Sequence, residues 1–550
     1  MTKRGFALAM VLLAIPAAML LIATLVIMCL SEAGYVRHRQ QQLQAFYLAQ
    51  SALNLGHQAL AASNFSAATR RADGLTPVNG PERLQATYPG LSYQAGGTYR
   101  WQEGDRWLEF AVCFPAANRW VIEAAGGEGR AVSRQRQHGS LEGMLSYAVF
   151  DNQDLSEFVR GADQVVTGRV HANGNLYMRP TGRRLTIRSD AVTCAGQIIR
   201  HKDAWNRPDD GGTVEISQGS SSGSLVVMGG GREGTAFDAY HRDWVAHAPG
   251  RWGGVVKDSS HGVGVRTPPS VQSLTPGGYY DQRAGLRISS TTPNSSFLST
   301  KTFTNQAEGS QVTVKELSLE ALAVAGQYPS NGLIYSDVPL RLVKAHQLAA
   351  PLTVVCNQNL YVQGDFNQIH PTPADATNKT SRKQPAALIS GGRIYHLSSG
   401  FKDSSSSSGL IPAASEPSRF NGDPSNVLEI NAALVDGTLT VDERNFRREY
   451  RGIQNPFYDP VHRSGQNAWQ NSDDFLEGLG SVTVRKRGTV VHLQNASMAR
   501  FDNSGSGVRW VVKTHYGAPT RDYAHDPLLE TTPPPFTPVV SRKGLWQCLQ

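Results

Sequence analysis

Cysteine is scarce in this chain, five residues in 550, and charge is thin, with only 18% of residues acidic or basic. Cys29 lies inside an apolar run, while Cys113, Cys194, Cys356 and Cys548 stand far apart with no CxxC and no Cys/His spacing. No metal site is therefore expected. In an oxidising compartment one or two disulfides among the four stay open, with no pairing fixed by sequence; otherwise each thiol reads as a small buried hydrophobe. The formal charge of +8 is spread along the whole length, without a dense basic block or interleaved aromatics. Nucleic acid is accordingly not an expected partner.

Glycine and proline, in contrast, are plentiful: 54 and 29 residues, alongside 40% apolar residues. That balance describes a turn-rich globular protein and excludes a mostly helical or disordered one. At 550 residues, two or three folding units are expected.

Residues 6–30, FALAMVLLAIPAAMLLIATLVIMCL, carry no charge. Roughly 20 apolar residues suffice to span a bilayer as a helix, and the apolar core of a cleaved signal peptide is shorter, about 7–15 residues. A transmembrane anchor from Phe6 to Leu30 is the expectation, with Pro16 tolerated as a kink. Lys3 and Arg4 precede the run, as for an end kept in the cytoplasm, although Arg37 and Arg39 follow it. The pattern continues without proline to Asn64, with Leu43, Phe46, Ala49 and Leu53 on one face. This spacing predicts an amphipathic helix over 31–64 that prolongs the anchor.

KRGF (Lys3 to Phe6) abutting the apolar run resembles a prepilin leader cut between Gly5 and Phe6, and AFYLAQSALN (45–54) resembles the stretch after the membrane helix in PilX-type pilus assembly proteins. The resemblance implies cleavage by a prepilin peptidase on the cytoplasmic face and assembly with other pilin-like subunits and their platform. In major pilins the fifth residue after the cut is Glu; here it is Met10. This departure implies a place outside the filament shaft.

From about Gly90 the period changes to that of strands. TYRW (98–101), RWLEFAVCF (106–114) and RWVIEAAG (119–126) are separated by EGD and PAAN turns, predicting a small pilin-like α+β unit over 65–138. Beyond it, paired short strands recur: 164–178, 184–199, 214–228, 332–343, 352–366 and 386–397. Irregular units of this kind predict a parallel β-helix-like solenoid over 139–550, with β-sandwich domains as the alternative. Asn173-Gly174-Asn175 and Asn331-Gly332 suit its corners, and Pro533–Pro535 an extended segment. The low-complexity stretches 204–275 and 403–426 read as flexible insertions. YAVFDNQDL (147–155), GRVHANGNLY (168–177), LTVVCNQNLYVQGDFN (352–367) and RDYAHDPLLETTPPPFTP (521–538) also resemble large PilX-type proteins of uncharacterised function.

No constellation reads as catalytic. Asp151/Asp154 and Asp473/Asp474 are acid-rich turns rather than the facing carboxylates of a glycosidase. Ser221 sits at the centre of GSSSG (219–223) without the strand–turn–helix setting of a nucleophile elbow. His171 has no second ligand near it in sequence. GGGREG (229–234) lacks the Lys-Ser/Thr of a phosphate loop, and in DNSGSG (502–507) Lys513 stands where a calcium loop needs Glu. The sequence thus predicts a non-enzymatic protein without a cofactor, held by one pass in a bacterial inner membrane with its C-terminal part exported. Its expected role is that of a minor pilin or pseudopilin of a type IV pilus or type II secretion-like system, at a filament tip or as an accessory. The alternative is a tethered β-helix that binds or cleaves carbohydrate.

Overall fold

The computed structural model describes residues 3–62, 70–71, 74–75, 88, 90–94, 98–116, 118–157, 163–180, 182–202, 211–229, 234–305, 310–378, 381–392, 394–397, 403, 427–436, 483–492, 500–502, 509–511 and 520–549. The fold is mainly β with one long N-terminal helix. The chain divides into two compact units: one of Met1–Leu60, Ser66–Ser140 and Gly544–Gln550, the other of Ala61–Phe65 and Leu141–Lys543. The sequence reading places Gly544–Gln550 in the larger domain; these residues instead belong to the first unit, because the last strand, Val539–Leu549, lies beside Ala131–Gly143 in its sheet.

In the first unit a single 60-residue helix, Lys3–Ala62, runs through Pro16, a rod of about 90 Å at 1.5 Å per residue. An antiparallel sheet follows, with strands Ser92–Gln94, Thr98–Glu103, Arg106–Ala116, Arg119–Glu128 and Ala131–Gly143 in sequential order. The period of two is plain in the third strand: Leu108, Phe110, Val112 and Phe114 are buried and their neighbours are not. Gly104 and Gly129 turn two of the hairpins at φ 58° and 57°, a conformation costly for other residues.

The helix meets this sheet by a face that overlaps the expected one in part: Ala49 and Leu53 are buried on it, Leu43 is not. Leu43 is 52% exposed and Phe46 only half-buried, whereas Ala45, Ala49, Ala52, Leu53, Gly56, Ala59 and Leu60 are buried. The reason is the closeness of the crossing. A Cβ on Gly126 would lie 2.3 Å from the Ala49 amide nitrogen and 2.7 Å from the Ala45 carbonyl oxygen, and one on Gly56 would lie 2.6 Å from Ile122 Cγ2. Small residues let the two backbones approach; Leu and Phe at the contact would hold them apart. Gln135 Nε2 donates to the Phe46 carbonyl (3.3 Å), and His57 Nε2 and Gln137 Oε1 lie 3.1 Å apart.

In the second unit most described strand pairings are parallel, with antiparallel pairs at Thr213–Ser217 with Leu225–Val227 and Leu298–Asn305 with Ser310–Ser318. Among the described residues its largest sheet holds ten strands, in the order Val256–Lys257, Val192–Cys194, Arg169–Ala172, Tyr147–Asp151, Val490–His492, Ala433–Asp436, Ala386–Ser390, Leu352–Cys356, Leu333–Ser336 and Leu286–Ile288. Every pairing described in it is parallel. Like residues stack in register: Val149 on Val170 on Val192, and in a neighbouring sheet Leu340 on Leu360 on Ile394. The inward rows form apolar clusters, one around Leu317, Leu342, Val354 and Leu388, another around Leu176, Ile187, Val192 and Val214.

The strand order is not the chain order. Tyr147–Asp151 lies between Arg169–Ala172 and Val490–His492, and Gln164–Thr167 between Arg184–Arg188 and Thr520–Ala524. The last parallel strands of the unit thus close against its first. The seam is polar as well as apolar: Thr489 Oγ1 (3.0 Å) and His525 Nε2 (2.7 Å) both donate to the Leu145 carbonyl.

The stretch 204–275, expected as a flexible insertion, is in part packed into the core. It contains the helix Trp244–Arg251, and Trp244 and Trp252 are fully buried in the second apolar cluster. Trp244 Nε1 donates to Asp258 Oδ2 at 2.8 Å and Trp252 Nε1 to the Val226 carbonyl at 3.3 Å. Buried indoles with satisfied N–H groups make this a part of the core. The other expected insertion, 403–426, lies outside the described residues apart from Asp403.

Candidate functional site

The feature with a functional consequence is the helix itself. Among the described residues, Ala14–Ala61 is a helix long and apolar enough to cross a membrane. From Ala14 to Gln40 its side chains are exposed all round, including Ile15, Leu20, Leu21, Ile22, Ile27 and Leu30. Each such side chain left in water forgoes about 1.5–3 kcal/mol of burial, and the continuous sleeve of them marks a candidate membrane span. Pro16 lies within this span, and Gly5 and Phe6, the expected processing junction, lie in the first turns of the same helix. Met10 is exposed on it. The first charged residues after the run are Glu32, Arg37 and Arg39. From Ala45 onward the surroundings change from all-exposed to one-sided, where the sheet takes over one face.

The side chains singled out for chemistry are used structurally where they are described. His171 is fully buried, with Nδ1 2.9 Å from Thr193 Oγ1 and Nε2 3.0 Å from Asn173 Oδ1. Burial, followed by the nearby Arg266 charge, lowers its pKa to about 3, so the ring is neutral. Asp151 Oδ1 accepts from the Gln153 amide (2.8 Å) and Asp154 Oδ1 from the Asn175 amide (2.7 Å). These carboxylates cap turns. The corner Asn173-Gly174-Asn175 stacks on its neighbours: Asn173 Nδ2 donates to Asn152 Oδ1 (2.7 Å), and Asn175 Oδ1 accepts from the Gln197 amide (2.9 Å). Ser221 is exposed in a turn whose flanking Ser220 and Ser222 hydroxyls lie 3.2 Å apart. Of GGGREG only Gly229 and Gly234 are described, and of DNSGSG only Asp502; Asp473, Asp474 and Lys513 lie outside the described residues.

Cys194 and Cys356 are buried, and Cys29 and Cys548 are exposed. Burial pushes the Cys356 thiol up to about 12 and moves Cys194 in the same direction.

Two buried polar clusters escape the sequence reading. Arg341, 2% exposed, binds both carboxylate oxygens of Asp403 (Nη1–Oδ1 2.5 Å, Nη2–Oδ2 3.0 Å) and also Glu316, with its guanidinium 5.3 Å from the Phe303 ring. Asp238 accepts from the Arg200 and His201 amides and from His201 Nδ1 (2.8 Å). No local pattern signals either cluster, because each joins residues far apart in the chain, Arg341 with Asp403 and His201 with Asp238.

No family model matches the chain, and no curated protein does. Among solved structures it is similar to the competence-associated pilin ComZ from Thermus thermophilus, at 12% identity over 93% of this chain and 97% of that one, with a TM-score of 0.23. Overlap of that degree carries no argument about fold or function.

Proposed function

We propose that the chain is a membrane-anchored, pilin-like structural subunit, processed between Gly5 and Phe6 by a prepilin peptidase. In this reading it is a minor pilin or pseudopilin of PilX type, set in a bacterial inner membrane with its β-rich part exported. It meets other pilin-like subunits at a filament tip or as a low-copy accessory. The observation that carries this reading is the continuous helix Lys3–Ala62, an exposed apolar sleeve at one end and a small-residue seat on an antiparallel sheet at the other. A plain tether needs neither the KRGF leader nor the rigid continuation. Met10 in place of Glu supports a position away from the shaft.

The second unit is, in the same proposal, an irregular parallel β-helix. Parallel register supports this over a sandwich, whose strands pair antiparallel; some stacked partners, such as Val149, Val170 and Val192 or Leu340 and Leu360, are separated by roughly 20 residues, the scale of a solenoid repeat, and the others by longer loops. We read the unit as non-catalytic, a bulky display module: Asp151 and Asp154 are engaged in turn caps and His171 is neutral and enclosed. Immunogold labelling of sheared filaments tests the role. Sparse or terminal gold is expected; continuous labelling along the shaft, or none on filaments, would remove the proposed position.

A further inference from the structure

The last strand, Val539–Leu549, is an edge. On one side it neighbours Ala131–Gly143 in the sheet order; a Cβ on Gly544 would lie 3.3 Å from the His138 carbonyl, and Trp546 Nε1 donates to Gln135 Oε1 at 3.3 Å. On its other side Arg266–Thr267 pairs with it only at Arg542 and Ser541. Beyond Arg542 no described strand pairs with it on that side, the position of an edge strand.

Edges exposed in this way are normally blunted by Lys or Glu, by Pro, or by a bulge. Gly544–Leu549 (GLWQCL) has no charge and no proline. Leu545 is 62% and Trp546 43% exposed, and because successive strand residues point to opposite faces, apolar surface is present on both. An uncharged sheet edge can take up another strand through main-chain hydrogen bonds. We propose that it receives the same strand of a second copy of this chain, antiparallel about a two-fold axis. A two-fold interface sets a surface against itself, so an edge can use it only where like charges do not come opposite one another. The uncharged run meets that condition, because the basic pair Arg542 and Lys543 precedes it and falls outside the overlap. The inference does not depend on the pilin-like reading, since any membrane-anchored protein with this edge could pair so.

The test uses the full chain in detergent micelles, with Cys29→Ser and Cys113→Ser so that Cys548 is the one exposed thiol, carrying a spin label. A dimer by light scattering is expected, with a label-to-label distance under roughly 25 Å, since strands rise about 3.3 Å per residue and pair about 4.8 Å apart. Leu545→Lys and Leu545→Glu should each weaken dimerisation at least tenfold, with the thermal midpoint and the far-ultraviolet circular dichroism spectrum of the parent chain retained. That retention separates a lost interface from a lost fold. A monomeric chain, a dimer indifferent to charge at Leu545, or labels beyond roughly 40 Å would each overturn the proposal.

Discussion

Gly126→Val tests how the anchoring helix is held. The added Cβ would lie 2.3 Å from the Ala49 nitrogen, 2.6 Å from Leu48 Cβ and 2.7 Å from the Ala45 oxygen. Two of these are backbone atoms of an unbroken helix, which cannot rotate out of the way. Overpacking typically costs about 1–3 kcal/mol, and a clash with backbone belongs at the upper end, about 3 kcal/mol. For a unit of about 150 residues that lowers the midpoint by roughly 6–12 °C. The assay is thermal unfolding of the full chain in detergent, followed by far-ultraviolet circular dichroism. Gly56→Ala should cost less, about 1 kcal/mol, because its nearest neighbour is the Ile122 side chain, whose end can shift. Gly34→Ala, with nothing within 4 Å, should stay within about 0.5 kcal/mol. Wild-type melting of Gly126→Val would refute the seating of helix on sheet.

Three further outcomes follow from buried groups. His171 is held neutral in the fold, with its pKa lowered from 6.5 to about 3, so stability is fully present above about pH 6.5 and falls as pH drops toward 3. The loss at pH 5 is about 2 kcal/mol, and His171→Gln should flatten that limb of a pH series of denaturant melts. Arg341→Lys replaces a fork that binds both Glu316 and Asp403 with a point charge; a loss of about 2 kcal/mol is expected, read from the urea midpoint. Trp252→Ala should cost about 3–5 kcal/mol, and a neutral result would return this stretch to the status of a surface insertion.

What sequence makes legible here is what is local. The 25-odd apolar residues from Phe6 to Leu30, far more than a signal core needs, mark the helix. The alternation in RWLEFAVCF marks the strand Arg106–Ala116, and the six strand-paired segments beyond residue 164 coincide with described strands. Apolar size places Ala49 and Leu53 rightly on the buried helix face but Leu43 wrongly, because close crossing selects Ala and Gly. Gly/Ser/Pro-rich composition conceals Trp244 and Trp252, whose partners Asp258 and Val226 lie on other elements. Nothing local announces that Val490–His492 returns to pair with Tyr147–Asp151; that contact spans most of the chain. The same holds for Arg341 and Asp403.

The mature N-terminus decides the central claim. Protein recovered from membranes of a host that carries prepilin peptidase should begin at Phe6 by mass spectrometry, and Gly5→Leu should leave Met1 in place. A wild-type chain with an intact Met1, or one cut near Ala33, would contradict the pilin-like reading and leave a plain anchor or a signal peptide.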